Sequence, residues 1–158
     1  MADLNHIDES GNAVMVDVSS KRETERTATA KGCVLLQPKT IALIRNGSVK
    51  KGDVLSIAQL AGIMGAKRTP DLIPLCPPLN LSSVKVSLSC DSKRNAVDIE
   101  ATCKLIGQTG VEMEALTAVT VAALTIYDMC KAVDKGMHIS NIRLTHKAGG
   151  DSGPFKAK

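Results

Sequence analysis

Two neighbouring stretches in the middle of the chain alternate between apolar and polar side chains. Residues 84–90 and residues 97–105 each place an apolar side chain at every second position, which is the period of a β-strand with one buried face. Asp91 to Asn95 lie between them, and a segment of this length is typical of a hairpin loop. The pattern therefore predicts an antiparallel hairpin.

Two other stretches repeat apolar residues at three- and four-residue spacing, the period of a helix. One occupies residues 54–64 and is predicted to stop at Pro70, and the other covers about residues 111–133. Gly62 and Gly65 form a GxxG pattern inside the first stretch. In a helix this pattern indicates close packing against another element, rather than a loop that clamps nucleic acid.

The remaining elements complete a recognisable order. Strands are predicted for residues 26–36 and 138–146, and a short helix for residues 38–46. With that helix as an insertion the order is β, α, β, β, α, β, the ferredoxin-like split βαβ arrangement. The predicted fold class is α+β, with an antiparallel sheet and helices on one face. We expect residues 1–13 to be a flexible N-terminal segment, residues 14–146 a single ferredoxin-like domain and residues 147–158 a Gly-rich C-terminal tail.

The amino-acid composition limits the classes of function that the chain can have. The chain has 158 residues, 44% of them hydrophobic, and a net charge of +4, as expected of one soluble globular domain. Tyr127 and Phe155 are its only Phe, Tyr or Trp residues, so a surface for stacking nucleic-acid bases is disfavoured. Five widely spaced cysteines indicate reduced thiols in a cytoplasmic compartment rather than disulfides or a zinc knuckle. The uncharged stretch 116–127 is too short to span a bilayer, so no membrane segment is predicted.

The long predicted helix carries one isolated charged pair. Asp128 and Lys131 are the only charged residues between Ala115 and Val133, and their three-residue spacing puts them on one helix face. An ordinary ion pair is one interpretation. The apolar neighbours favour another, in which desolvation raises the carboxyl pKa and lowers the ammonium pKa while the attraction between them opposes both shifts. Such a pair can serve acid/base chemistry.

Other candidate residues each allow two interpretations. Thr109 and Glu112 have the spacing of a capping box, and the alternative is an anion-binding turn that aims Glu112 and Glu114 at a substrate. Lys51 precedes a helix start, where a positive charge is unfavourable unless a phosphate binds there, and a solvated loop lysine is the alternative. Cys76 lies in a proline-rich loop and is predicted to be a buried thiol rather than a nucleophile.

Four segments together resemble one family of enzymes. They are MVDVS at 15–19, KKGDV at 50–54, AGIMGAKRTPDLIPLC at 61–76 and TGVEMEALTAVTVAALTIYDMCKAV at 109–133. These segments are similar to the cyclic pyranopterin monophosphate synthase (MoaC) family of molybdenum cofactor biosynthesis. The resemblance extends from about His6 to Phe155.

The resemblance implies a lyase that converts a cyclised dihydroguanosine triphosphate, made by a radical iron-sulfur enzyme upstream, into cyclic pyranopterin monophosphate and pyrophosphate. It implies a homohexamer, a trimer of dimers, with sites at subunit interfaces and with no metal or organic cofactor. The family's catalytic positions correspond to Lys51, Asp128 and Lys131. Its substrate-binding positions correspond to Leu75, Cys76, Pro77, Glu112, Met113 and Glu114, and further polar positions around the pocket to Asp17, Arg26, Lys67 and Lys147.

Position 77 departs from the family. The family motif is LCH, and Pro77 lacks both the imidazole and the backbone N–H. The departure predicts impaired binding or turnover, and a non-catalytic oligomeric partner of the same fold is the alternative function. A nucleic-acid-binding module of the same element order is disfavoured, because the predicted strands after residue 82 contain no Phe, Tyr or Trp.

Overall fold

An antiparallel sheet with helices on one face forms the frame of the protein. The computed structural model describes residues 5–158, and residues 1–4, the start of the predicted flexible segment, lie outside the described residues. The elements are β1 (Thr24–Leu35), α1 (Pro38–Arg45), α2 (Val54–Lys67), α3 (Thr69–Leu72), β2 (Ser83–Asp91), β3 (Ala96–Gly107), α4 (Glu112–Cys130), β4 (His138–Ala148) and β5 (Phe155–Lys156). The strand order is β2-β3-β1-β4-β5, and every neighbouring pair is antiparallel.

This arrangement confirms the predicted ferredoxin-like α+β fold. β2 and β3 form the hairpin that the alternation predicted, with Val84 opposite Cys103. β3 also pairs along the whole of β1, which joins the hairpin to the centre of the sheet. β5 was not predicted: it pairs with His146 and Lys147 of β4, inside the segment expected to be a tail. A strand of two residues has no readable period, so its pairing depends on the neighbouring edge of the sheet.

The helices begin and end near their predicted positions. Pro38 is the first residue of α1, and Asp53 caps α2 by accepting a 3.0 Å hydrogen bond from a backbone N–H in its first turn. α2 ends at Lys67 rather than at Pro70, which lies in the first turn of α3, where no backbone donor is needed. α4 ends at Cys130, slightly before the predicted limit.

The core is centred on α4, which contacts the sheet on one side and α2 on the other. By length and composition α4 could cross a membrane, but 56% of its most apolar window is buried inside the fold, as in a core helix. Ala122 and Ile126 are fully buried. The two helices approach closely at Gly62 and Gly65, where a Cβ added to Gly65 would lie 2.8 Å from Cγ2 of Val121. This proximity confirms the helix-packing interpretation of the GxxG pattern.

The other face of the sheet is polar. Lys31 on β1 pairs with Glu100 on β3 at 3.0 Å, and Arg94 pairs with Asp98 at 2.8 Å. These groups line an open groove of about 990 Å³. The helices cover the opposite face, and Glu112 and Asp128 lie near the two ends of α4 in that helical layer.

Candidate active site

Three charged side chains meet where α4 ends. Lys131 Nζ lies 2.7 Å from Asp128 Oδ1, and Lys51 Nζ lies 3.2 Å from Asp128 Oδ2. Lys51 Nζ also donates a 2.9 Å hydrogen bond to the backbone carbonyl of Asp128, one of the carbonyls at a helix C-terminus that needs a partner. The structure thus brings the three predicted catalytic residues together, and we call them the lysine–aspartate cluster.

The prediction that the Asp128–Lys131 pair is desolvated is wrong. The side chains of Lys51, Asp128 and Lys131 are 49%, 59% and 54% exposed, although Met129 and Cys130 beside them are buried. Hydrogen bonds from Lys131 and Lys51 lower the pKa of Asp128, and the hydrogen bond and charge of Asp128 raise the pKa of Lys131. Attraction therefore outweighs burial, and the Asp128–Lys131 pair is ionised at neutral pH.

A buried carboxylate supports this end of the helix. Asp134 is 2% exposed, and its Oδ2 accepts hydrogen bonds from the Gln37 backbone N–H at 2.8 Å and from the Thr40 hydroxyl at 3.0 Å. These bonds join the turn after α4 to the start of α1. Because α1 leads into the loop that carries Lys51, the lysine–aspartate cluster is held by two elements that a buried carboxylate connects.

A second charged group lies at the start of α4. Lys147 Nζ on β4 lies 2.7 Å from Glu112 Oε1. Glu112, Lys147 and Arg26 line one polar recess. The guanidinium of Arg26 donates hydrogen bonds to the backbone carbonyls of Gly107 and Gln108 at 3.2 and 3.0 Å. Of the two interpretations of Thr109 and Glu112, the capping box is wrong, since Val111 is the N-cap and no side chain caps the helix. Glu112 pairs instead with a lysine on a distant strand.

A cavity of about 620 Å³ opens beside this second charged group. Its volume falls in the range usual for sites that bind small molecules, ~300 to 1,000 Å³. The loop after α3 forms one wall and the first turn of α4 forms another. All six residues that the resemblance marks as substrate-binding line it, namely Leu75, Cys76, Pro77, Glu112, Met113 and Glu114.

The cavity contains a carboxyl group that resists ionisation. Glu114 is 3% exposed, and burial, aided by the negative charge of Glu112, raises the pKa of Glu114. Burial and the charge of Glu114 also raise the pKa of the Cys76 thiol, which disfavours a nucleophilic thiolate. Cys76 is half-buried rather than buried as predicted. Glu114 therefore holds its proton at a higher pH than a free glutamic acid and can exchange it with a ligand.

The other predicted residues lie on neighbouring surfaces. Asp17 lines an adjoining cavity of about 430 Å³ that shares Leu75 and Pro77 with the larger one. The backbone N–H of Ser19 lowers the pKa of Asp17. Lys67 lies at the end of α2 and lines a separate recess of about 470 Å³. Within one chain, Asp17 therefore lies in a cavity that adjoins the 620 Å³ cavity, whereas Lys67 lines neither of the two.

The two charged groups stand at opposite ends of α4. Glu112 begins the helix and Asp128 lies in its last turn, a separation of about 24 Å along the axis at ~1.5 Å per residue. Groups that exchange a proton with the same atom must approach it to ~3 Å. A single chain therefore does not surround one reacting centre with both groups.

Two residues beside the cavities were not predicted. Lys21 lines a polar recess of about 190 Å³ with Arg26 and Lys147. His6 lines both the 620 Å³ and the 430 Å³ cavities. Both lie in polar segments without periodicity, so no local pattern distinguishes them from solvated side chains. The family resemblance, which begins at about His6, was the one feature of the sequence that could have drawn attention to His6.

The fold and the site define a ferredoxin-like protein with two distinct carboxyl groups. Asp128 is ionised between two lysines, and Glu114, whose pKa is raised, lines a cavity of the size that small ligands occupy. Among residues 5–158, no group of three or more His, Cys, Asp or Glu side chains is arranged to hold a metal ion. These features are those of a small-molecule enzyme rather than of a nucleic-acid-binding domain.

Known proteins match the chain over nearly its whole length. The MoaC family profile matches residues 15–150. Three relatives are named cyclic pyranopterin monophosphate synthase: one from Rhodospirillum rubrum is 65% identical, covering 98% of this chain and 93% of that protein. One from Dinoroseobacter shibae is 60% identical over all of both chains, and one from Chloroflexus aurantiacus is 59% identical over 98% of this chain and 94% of its own. The chain belongs to the MoaC family.

Proposed function

We propose that the protein is a lyase of molybdenum cofactor biosynthesis, which converts a cyclised dihydroguanosine triphosphate into cyclic pyranopterin monophosphate and pyrophosphate. The observation that carries this proposal is the lysine–aspartate cluster, in which two lysines hold one ionised carboxylate. It occurs in a chain whose full-length relatives are named for that activity.

The two carboxyl groups have complementary protonation states. Hydrogen bonds from lysines lower the pKa of Asp128, whereas burial raises the pKa of Glu114. Carboxyl groups whose pKa values are moved in opposite directions by their surroundings commonly divide the roles of base and acid. Asp128 then accepts a proton, Lys51 and Lys131 return one or neutralise phosphate charge, and Glu114 supplies a proton to the ring system.

The distribution of charge supports separate subsites for the phosphates and the ring. Lys21, Arg26 and Lys147 line one polar recess, and lysine and arginine side chains suit the oxygens of a phosphate chain. The adjoining 620 Å³ cavity has mostly apolar walls. It suits the fused ring of the substrate and product.

We further propose that complete sites form between subunits of a homohexamer built as a trimer of dimers. Two observations support assembly. The lysine–aspartate cluster and the Glu112–Lys147 pair are too far apart in one chain to share a substrate. In addition, the helical layer exposes large apolar side chains, among them Leu60 at 58%, Met64 at 57% and Leu124 at 55%, as surfaces that bind another subunit do.

The proposed cellular setting follows from the chemistry. The substrate would be supplied by a radical iron-sulfur enzyme upstream. The five cysteines are free, which supports a reducing, cytoplasmic compartment. A non-catalytic oligomeric partner of the same fold is the alternative, and the intact lysine–aspartate cluster favours the lyase over it.

Turnover by the purified protein tests the proposal. The cyclised nucleotide is supplied, and pyrophosphate and the pterin product are quantified together, because the proposed reaction releases them in equal amounts. Asp128→Asn keeps the shape of the side chain and removes its proton-accepting group, so we expect a loss of about 100-fold or more. Circular dichroism and light scattering control for folding and assembly. An assembled native protein that releases neither product would support the non-catalytic alternative.

A further inference from the structure

The N-terminal segment forms a small hairpin beside the cavity. Ile7 and Ala13 make an antiparallel bridge. Asp8 closes the turn between them by accepting two backbone hydrogen bonds, of 2.9 and 2.8 Å. The carbonyl of His6 accepts a 3.0 Å hydrogen bond from the Val14 backbone N–H. The hydrogen bonds of the hairpin itself therefore define where His6 lies.

One ring nitrogen of His6 has an assigned partner. Nδ1 lies 3.3 Å from the backbone carbonyl oxygen of Val14. A carbonyl oxygen can only accept, so the hydrogen of this bond belongs to Nδ1. In the neutral ring Nε2 is then the nitrogen without a hydrogen. The hairpin thus holds His6 as a group that can accept a proton at Nε2 and afterwards donate it.

His6 is also the only basic side chain among the described residues that line the 620 Å³ and 430 Å³ cavities. The titratable groups that face the same space are Glu112, Glu114 and Cys76 in the larger cavity and Asp17 in the smaller one. The fused ring that the proposed function places there meets mostly acidic or apolar groups. Among the described residues on these walls, His6 therefore carries the one basic side chain that can exchange a hydrogen with a nitrogen or oxygen of that ring.

Pro77 lines the same two cavities as His6. Proline has no side-chain donor and no backbone N–H, so the wall near position 77 contributes apolar contact only. A histidine side chain placed at position 77 would reach into the same shared space. His6 and position 77 are therefore alternative sources of one imidazole for this site.

We propose that His6 is a substrate-contacting residue, whose Nε2 exchanges a proton or a hydrogen bond with the nucleotide in the shared cavity. In this chain it provides the imidazole that Pro77 does not. This inference rests on the proposed function and adds a residue to it.

Two substitutions separate the role of Nε2 from that of the hairpin. In His6→Asn the short amide can keep a donor near the position of Nδ1, for Val14, but nothing replaces Nε2. His138→Asn is the matched control, because His138 lies at the start of β4 and lines neither cavity. We expect His6→Asn to lower kcat/KM by about 10- to 100-fold, and His138→Asn to leave it unchanged. Adding Pro77→His to His6→Asn should restore most of the lost activity.

The outcomes distinguish this inference from the proposed function. A native protein without turnover would refute the proposed function. If the native protein is active and His6→Asn matches it, the role of His6 is overturned while the proposed function stands. A loss in His6→Asn that Pro77→His does not reverse would also overturn the inference, since His6 would then serve only the hairpin.

Discussion

Complementation between two inactive variants would test whether each site is built from two subunits. Asp128→Asn damages the end of α4 that carries the lysine–aspartate cluster, and Lys147→Gln damages the end that carries the Glu112–Lys147 pair. About 24 Å of helix separates these ends. If one site takes one end from each of two subunits, subunits with different lesions can combine to make an intact site.

The expected recovery of turnover follows from the fraction of sites in which both ends are undamaged. In an equal, random mixture each end of a site comes from an undamaged subunit in half of the cases. About one site in four then has both ends intact, whatever the symmetry of the closed assembly. Co-expressed Asp128→Asn and Lys147→Gln should therefore reach about a quarter of the native turnover per subunit. Each variant alone should retain only its residual activity.

The assay needs one matched control. Co-expressing Asp128→Asn with Lys51→Ala combines two lesions at the same end of the site. Each subunit then contributes a lysine–aspartate cluster with one damaged member, so every site is damaged. Because these residues contact each other within one chain, at 3.2 Å, no recovery is expected. Opposite-end mixtures that remain as inactive as this control would refute the shared site and the reasoning from helix length.

Four further predictions concern single residues. Lys51→Ala should abolish turnover yet leave the melting temperature nearly unchanged, since a half-exposed loop lysine contributes little to the core. Gly65→Val should lower the free energy of unfolding by about 1 to 3 kcal/mol, measured in urea, because Val121 leaves no room for a side chain, and Val121→Ala should recover part of that loss. Glu114→Gln should raise the melting temperature at pH 8 but not at pH 4. Burial raises the pKa of Glu114, so the protonated Glu114 side chain stabilises the fold below the unfolded-state pKa, and this stabilisation is lost as the pH rises through the folded-state pKa. Pro77→His in the otherwise native chain should raise kcat/KM by less than it does in the His6→Asn background, because His6 already supplies one imidazole, and an equal gain in both backgrounds would show that the two positions are not alternative sources of it.

Local pattern was sufficient for most of the fold. The alternation in residues 84–90 and 97–105 predicted β2 and β3, and the helical spacing after Asp53 predicted α2, because these periods reflect which side of each element is buried. Pro38 marked the start of α1 for an equally local reason, since proline fits a first turn. β5 and α3 are the exceptions. α3 contains the proline that was predicted to end α2, and two residues at a sheet edge become a strand only when the edge is already present.

The candidate residues were also accessible from the sequence, although mainly through the resemblance rather than through spacing. Spacing alone put Asp128 and Lys131 on one helix face, and the structure joins them at 2.7 Å. The ion pair between Glu112 and Lys147 could not be predicted from the sequence, because the two residues lie on different elements and meet only when β4 packs beside the start of α4.

The tertiary structure alone decided how these groups are charged. Of the apolar flanks that suggested a desolvated Asp128, Ile126, Met129 and Cys130 are buried in the core. The carboxylate itself faces water and two lysines, and its pKa falls. Glu114 has an acidic neighbour two residues away and no basic residue beside it in the sequence, yet burial against the loop after α3 makes it the carboxyl group with the raised pKa. Sequence determines which side chains an element carries and on which face. Solvent exposure and distant charges depend on which elements pack together, and they set the protonation states on which the proposed chemistry depends.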